Sequence, residues 1–542
     1  MFRKLLEKID NTEVTLKDWI LGILCIIFVR ILLENFFSTS LSGMLASDFA
    51  TIVHCYLYYL GVALSLMILH GVFVPNIRRG EKIAIIVFFG SWIPPLLDFV
   101  ISKGGGYYLG YPFISSISGL VRVFFDFFGA VPIVGVTPGM RVQAIVAILG
   151  VLFYVIYATK SVLKGVAAAF SVYVVAFLWA FAPSIMKVVS DFSWSGGFRS
   201  VGQFFIDSAN SSIVARNFLD PTVQLSYLRA AETFFDAAMS HAYYIVISIL
   251  LVLYVYQSRP LKTLAVLKNS RPRQVIPYQL LLLAGFFLAW TITRPQIVFN
   301  WLDVVTIVAL FIGMYCASMY AMGANDIADI NVDRVSNPER PLIRGELSVD
   351  DVKNANLIFL IWALVGGFLA GYYALFMMAA ALALSHIYSV PPLRAKRLPL
   401  FATFLMSLAF LAVVLAGFYT LSGDKSIQAF PVRYLFLVII GTTLGNNVKD
   451  MKDVEGDRAA GIKTIPVLFG EKNGRRIVGA FLALAFLLVP PILGIWRLII
   501  PSLIAAALAY YFVNRKNYRE WPVFVLYFIY VAIAVLFVYG IV

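Results

Sequence analysis

The strongest constraint on this chain is a succession of apolar stretches, each long enough to cross a bilayer as a helix. A spanning helix needs roughly 20 mostly apolar residues. Six such stretches lie near 18–34, 50–74, 83–101, 144–159, 166–186 and 241–257. Nine more lie near 276–293, 298–322, 355–372, 373–389, 401–420, 431–447, 477–496, 497–513 and 522–541. Lipid gives the backbone no hydrogen-bond partners, so each segment must satisfy itself as a helix. The expected fold is all-α: a polytopic membrane protein with six spans followed by nine. Composition agrees, with 61% hydrophobic and 13% charged residues, against about 45–50% apolar and about 25% charged in soluble domains. A soluble enzyme on a single anchor is excluded.

Charge placement orders the spans. The net charge is +14, but the cations cluster between apolar segments, as anionic head groups and membrane orientation require; nucleic acid is not an expected partner. Arg3, Lys4, Lys8 and Lys17 precede the first span, Arg78, Arg79 and Lys82 follow the second, and Lys160 and Lys164 follow the fourth. Residues 258–274 form a basic linker, which divides an N-terminal membrane module (1–257) from a second domain (275–542). Alternation puts the N-terminus in the cytoplasm of a cell membrane, with loops 323–354, 390–400 and 448–476 on the same side. The first apolar run lacks a small-residue cleavage site and reads as a retained span. Loops 102–143 and 187–240 fall outside and have the aromatic content of interfacial helices.

Two of the cytoplasmic loops carry matching acidic stripes: Asn325-Asp326-x-x-Asp329-x-x-x-Asp333 and Asp450-x-x-Asp453-x-x-x-Asp457. A helix turns about 100° per residue, so spacings of three and four put each triplet on one narrow face. Solvated acids at helix ends would explain one stripe, but not two with identical spacing on one side of a membrane. Asp329, Asn331 and Asp333 imitate the opening of a calcium loop, yet Arg334 stands where its turn glycine belongs and Arg340 where its bidentate glutamate belongs. A Mg²⁺–phosphate site fits better, because Mg²⁺ takes a few carboxylates together with substrate phosphate oxygens. Arg340, Arg344, Arg394, Lys396, Lys449 and Lys463 are the candidate diphosphate cations; for each, orientation charge is the competing reading. Arg340 stands between Pro338 and Pro341, which restrict its backbone.

The motif Asn325-Asp326-Ile-Ala-Asp329-Ile-Asn-Val-Asp333, with Asn337-Pro338-Glu339-Arg340-Pro341, resembles the first signature of the UbiA superfamily of intramembrane prenyltransferases. Lys449-Asp450-Met-Lys-Asp453-Val-Glu455-Gly456-Asp457 resembles its second, and Tyr388-Ser389-Val-Pro391-Pro392-Leu393-Arg394-Ala-Lys396-Arg397 its loop between the fourth and fifth helices. The resemblance covers about residues 275–542. It implies a nine-helix bundle that moves an isoprenyl group from an isoprenoid diphosphate to an acceptor with Mg²⁺-assisted release of diphosphate. It implies that Asn325, Asp326 and Asp329 bind Mg²⁺ with the donor, that Asp450 and Asp453 hold a second Mg²⁺ or orient the acceptor, and that Asp333 and Asp457 complete the stripes. Arg340, Arg394, Lys396 and Lys449 would grip the diphosphate, and Tyr388 would border the reacting carbon. Acceptors in the family include aromatic, glycerol-phosphate ether and sugar-phosphate classes, and no residue here selects among them. The competing reading is a lipid or polyprenyl-phosphate transporter that uses the same acids for binding alone.

Other polar residues say less. Cys25, Cys55 and Cys316 lie inside apolar runs and read as small core residues. The four histidines are scattered, and His386 reads as a packed polar residue at a helix end. Asp98 is an isolated intramembrane acid after Pro94-Pro95.

Overall fold

The computed structural model of the protein describes residues 2–37, 49–107, 110–129, 133–191, 200–213, 217, 227–293, 299–451, 454–459, 461–515 and 518–538. Every regular element among them is helical. Among the described residues, thirteen helices are long and apolar enough to cross a membrane, and the chain is a multi-pass membrane protein. Two expected spans are not among the thirteen. The run 431–447 gives the 14-residue helix Val432–Gly445, which begins after Pro431 and tightens into a 3₁₀ segment at Asn446. The last run gives Trp521–Val538.

Contacts divide the chain into two units: Met1–Leu264 with Ile297–Ala309, and Ala265–Gln296 with Leu310–Val542. The first unit contains α1 (Phe2–Asn11), α2 (Leu16–Phe37), α3 (Phe49–Phe73), α4 (Ile77–Phe89), α5 (Ile93–Ile101), α6 (Ile117–Asp126), α7 (Pro138–Thr159), α8 (Val162–Ala180), α9 (Ala182–Asp191), α10 (Val201–Asn210) and α11 (Tyr227–Ser258). Thr137 caps α7 by accepting from the Met140 N–H, with Pro138 at the first turn where its missing donor costs nothing. Helices α3 and α11 pair along much of their length. Gly61 of α3 is required by the indole of Trp179 on α8, since a Cβ there would lie 2.0 Å from the ring. The short helices α6 and α10 occupy the two long loops that sequence reading assigned to interfacial helices. Cys25 is exposed rather than buried, while Cys316 is buried; an apolar helix facing lipid has no reason to hide a small thiol.

The second unit follows α12 (Pro260–Lys268), which spans the division. It holds α13 (Pro272–Thr293), α14 (Trp301–Ala328) from Leu310 onward, α15 (Ile330–Ser336), α16 (Val349–Leu369), α17 (Tyr372–Ser389), α18 (Phe401–Leu421), α19 (Val432–Gly445), α20 (Val454–Ala459), α21 (Ile465–Leu487), α22 (Val489–Leu493), α23 (Ile499–Asn514) and α24 (Trp521–Val538). The most buried span is α18, with 72% of its apolar window enclosed. It meets α13 backbone to backbone. A Cβ on Gly285 would lie 2.0 Å from the Val414 carbonyl, and one on Gly417 2.3 Å from the Leu282 carbonyl. Small residues let helices approach this closely where lipid gives no hydrophobic drive to association. Helices α21, α23 and α24 close a separate core around Val478, Leu482, Phe486, Ala509 and Tyr530.

Candidate active site

The first stripe lies where α14 gives way to α15. Asp329 carries the break, at φ −108° and ψ 14°. The Asp329 N–H still donates to the Asn325 carbonyl at 2.9 Å, and the Asp333 N–H to the Asp329 carbonyl at 2.8 Å. The register of four therefore survives the break. Asp326, Asp333 and Asp329 are 2%, 3% and 8% exposed. Carboxylates so buried must be paired and hydrogen-bonded.

Each acid is held by cations. Asp326 Oδ1 accepts from Arg340 Nη1 at 3.1 Å, and Oδ2 accepts from Asn269 Nδ2 at 2.9 Å and from Arg271 Nη2. Asp329 Oδ1 accepts from Arg394 Nη2 at 2.7 Å, and Oδ2 from Lys396 Nζ. Lys396 also reaches Asn325 Oδ1 at 3.0 Å, where Ser389 Oγ donates as well at 3.1 Å. Arg340 bridges Asp326 to Asp333, whose other oxygen accepts from Asn337 Nδ2 at 3.0 Å. Arg271 and Arg394 both have φ of 40°, in the left-handed region that disfavours a side chain. Both guanidiniums are thus placed by backbone strain as well as by pairing. Burial raises the Asp333 carboxyl above its ordinary value, with Arg340 and Asn337 partly offsetting it. Burial likewise lowers the Lys396 ammonium, with Asp329 partly offsetting it.

The second stripe begins in the 3₁₀ segment Asn446–Met451 and continues into α20. Asp453 lies outside the described residues. Asp450 and Asp457 are half-buried. Gly456, between Glu455 and Asp457, packs on Ser336 at the end of α15: a Cβ there would lie 2.0 Å from Ser336 Oγ. The two short helices that carry the last acid of each stripe therefore pack against each other. Tyr388, near the end of α17, immediately precedes Ser389, whose Oγ donates to Asn325 Oδ1 at the head of the first stripe. Lys449 Nζ lies 5.7 Å from the Phe410 ring, whose edge meets Tyr278 at 5.4 Å. Tyr278 also lines a small cavity of about 10 Å³, with Met314, Ala317, Ala321, Ala381 and Ala409 among its other walls.

The structure brings together Asn325, Asp326, Asp329, Asp333, Arg340, Arg394 and Lys396. Arg344 pairs with Glu339 and Glu346 instead, its side chain half exposed, and Lys463 is exposed. His386 is exposed, with Nδ1 2.9 Å from the Tyr320 hydroxyl. Sequence reading counted Arg271 as linker charge only and passed over Asn269 and Tyr278. The Arg271-Pro272 pair at the start of a span was the available signal. Among the described residues, no three His, Cys, Asp or Glu side chains form a closed metal cage. The donor set still suits Mg²⁺: carboxylate and amide oxygens, few in number, on one face, as a metal shared with phosphate requires.

Fold and site together define a helical membrane domain with paired acidic stripes around a cationic pocket. Residues 280–532 match the UbiA prenyltransferase family, and this segment is a domain of that family. A probable homogentisate phytyltransferase 2 of Oryza sativa subsp. japonica is 30% identical over 230 residues, covering 39% of this chain and 58% of the rice protein. A digeranylgeranylglyceryl phosphate synthase of Methanocaldococcus jannaschii is 27% identical over 206 residues, covering 37% of this chain and 69% of that protein. A solved UbiA homolog from Archaeoglobus fulgidus, bound to GPP and Mg²⁺, superposes with a TM-score of 0.39 at 18% identity, over 50% of this chain and 98% of that one. The chain spans about half the length of the first curated relatives it matches.

Proposed function

We propose that the second unit is an integral membrane prenyltransferase. It takes an isoprenyl group from an isoprenoid diphosphate, joins it to an acceptor and releases diphosphate. The observation that carries this reading is the pair of cation clusters on the first stripe, Arg271 with Arg340 on Asp326 and Arg394 with Lys396 on Asp329. The helix that ends the first stripe also packs, through Ser336, on Gly456 of the second.

Asn325, Asp326, Asp329 and Asp333 would hold Mg²⁺ with the donor, and Asp450, Asp453 and Asp457 a second ion or the acceptor. Bound Mg²⁺ would neutralise the diphosphate oxygens and favour their departure. The chain's own cations do the rest of the electrostatic work. Arg271, Arg340 and Arg394 present forked donors suited to phosphate oxygens, and Lys396 a point charge. Fixed in advance, they favour the charge that develops as the allylic C–O bond breaks. Tyr388 offers an aromatic face to the allylic cation. Apolar Met314, Ala317, Ala321, Ala381 and Ala409 beside Tyr278 would face the hydrocarbon and keep water from the cation. The new bond forms to the acceptor nucleophile as the C–O bond to diphosphate breaks, and the acceptor's proton leaves with the released diphosphate. The acceptor is of the aromatic, glycerol-phosphate ether or sugar-phosphate class, and the site opens to the cytoplasmic side of the cell membrane.

The test is turnover in membranes holding the full chain, with Mg²⁺, geranylgeranyl diphosphate and each acceptor class in turn. Mass spectrometry should find one prenylated lipid and matching diphosphate release, both lost in Asp326→Ala and Asp450→Ala. Unchanged turnover in those variants would sink the reading. Donor binding without C–O cleavage would assign a carrier instead.

A further inference from the structure

The 3₁₀ segment Asn446–Met451 sorts its side chains onto three faces, because three residues complete each turn. Val448 and Met451 share one face and are buried in the core around Val478 and Leu482. Asn447 and Asp450 share the second face, and Asn446 and Lys449 the third. The two neighbouring asparagines do different work. Asn447 Nδ2 donates to the Thr443 and Leu444 carbonyls at 2.8 and 3.1 Å, which closes the last turn of α19. The Asn446 backbone N–H continues that helix by donating to the Thr442 carbonyl. Its side-chain Nδ2, however, is buried and has no hydrogen-bond partner among the described residues.

The face that carries Asn446 looks onto α18. Thr443, one turn earlier, donates through Oγ1 to Ser407 Oγ at 2.9 Å. Lys449, one turn later, places Nζ 5.7 Å from the centre of the Phe410 ring, which meets Tyr278 edge-on. Phe410 lies one turn beyond Ser407 along α18, away from the 390–400 loop, so the ammonium reaches back into the bundle. An unmatched N–H donor, a cation and two aromatic rings thus stand on one side of the second stripe. A buried amide N–H without a partner is unfavourable, and the penalty disappears when a bound oxygen accepts from it. Arg271, Arg340, Arg394 and Lys396 already crowd the first stripe with positive charge. A neutral donor on the second stripe adds little to the neutralisation of diphosphate, but it fixes the orientation of one oxygen.

We propose that Asn446 is a specificity-determining residue for the prenyl acceptor. Its Nδ2–H donates to an oxygen of that molecule, with Lys449 as the neighbouring cation. The inference rests on the prenyl-transfer reading above and goes beyond it by naming the residue that selects the acceptor. An oxygen that carries negative charge (a phosphate, carboxylate or phenolate) suits this pair best.

The experiment uses the full chain in lipid vesicles with Mg²⁺ and geranylgeranyl diphosphate. The acceptor probes are 4-hydroxybenzoate, a geranylgeranyl ether of glycerol phosphate and ribose 5-phosphate. Asn446→Leu keeps the shape and removes the donor. It should lower kcat/KM for the prenyl acceptor by about tenfold or more, the range for a hydrogen bond to a charged group, with the donor KM unchanged. Its thermal midpoint should hold or rise, because an unmatched polar group has gone. Asn446→Asp keeps the size but replaces the N–H by a second oxygen, and should lose at least as much. Wild-type acceptor kinetics in Asn446→Leu, with turnover still lost in Asp326→Ala, would overturn this inference and leave prenyl transfer standing. A lowered midpoint with unchanged kcat/KM would make the amide structural and overturn it too. A raised donor KM with unchanged acceptor kinetics would put the oxygen on the diphosphate, against the proposal. Absence of prenyl transfer in wild type would remove both readings together.

Discussion

Asn269 Nδ2 donates to Asp326 Oδ2 at 2.9 Å across 57 residues of sequence. Its Oδ1 accepts from Arg271 Nη2, also at 2.9 Å, and Arg271 reaches the same Asp326 oxygen. Asn269 thus orients an acid and a cation together. Arg271→Ala should raise the donor KM and lower kcat/KM by roughly tenfold to hundredfold, the range for one charge-assisted hydrogen bond. Arg271→Lys should rescue little, because a point charge does not reproduce the fork. Asn269→Ala should cost about threefold to tenfold. Steady-state kinetics with geranylgeranyl diphosphate decide it; wild-type kinetics in both variants would remove these residues from the site.

Gly285 and Gly417 face each other's helices across the α13–α18 contact, each against a carbonyl. Gly417→Val forces carbons into backbone that cannot rotate away. Overpacking of this kind costs roughly 1–3 kcal/mol, so thermal unfolding in detergent should occur several degrees lower. Gly441 is the control: a Cβ there meets nothing within 4 Å, and Gly441→Ala should hold or raise the midpoint, since Ala favours helix. A Gly417→Val midpoint equal to wild type would mean that the two helices can separate freely.

What the sequence revealed, and what it hid, follow from the reach of the interactions. The three-and-four spacing of the acids is local geometry, and α14 and α15 keep it through their break. Arg340 is tied to its stripe by a short turn and was legible for that reason. Arg394 and Lys396 were legible from the motif that carries them. Arg344 has the same type and neighbourhood as Arg340, yet nearby Glu339 and Glu346 compete for it. Asn269 and Arg271 reach Asp326 only through tertiary packing, and no periodicity announces a partner more than fifty residues away. The helices themselves were visible as apolar runs. The early end of α19 depends on polar Asn446 and Asn447, which a hydropathy window averages away.

Gly456 and Ser336 join the helices that carry the last acid of each stripe. Gly456→Ala places a Cβ 2.0 Å from Ser336 Oγ but 3.3 Å from Ser336 Cβ. The clash is therefore mostly with one oxygen. Gly456→Ala alone should lower turnover several-fold at unchanged global stability, because Ser336 Oγ must turn aside and α20 must shift by a few tenths of an ångström against the Ser336 and Val332 carbons. Ser336→Gly combined with Gly456→Ala should recover most of it, with a coupling of about 0.5–3 kcal/mol for residues in contact. Additive losses in that cycle would mean that the contact does not set the spacing of the stripes.

Helix α1 is held to the first unit by Asp10, whose carboxylate takes a forked contact from Arg79 while its carbonyl accepts from Lys82 Nζ at 2.7 Å. The Arg79 hydrogen bond holds the Asp10 carboxyl below its ordinary value, with burial opposing. A carboxyl depressed by folding adds stability above its unfolded pKa of about 3.9 and loses it as pH falls through the lower folded value. Docking of α1 should therefore be constant from neutral pH to about pH 5 and fail only below the ordinary carboxylate range. Asp10→Asn should loosen α1 already at neutral pH, by roughly the 0.5–1 kcal/mol of a well-formed surface pair. Tryptic cleavage after Lys4 and Lys8 in vesicles reads this directly: several-fold faster in Asp10→Asn at pH 7, and in wild type no faster at pH 5 than trypsin's own pH dependence allows. Equal cleavage of the two proteins at pH 7 would show that the helix is held by its apolar face alone.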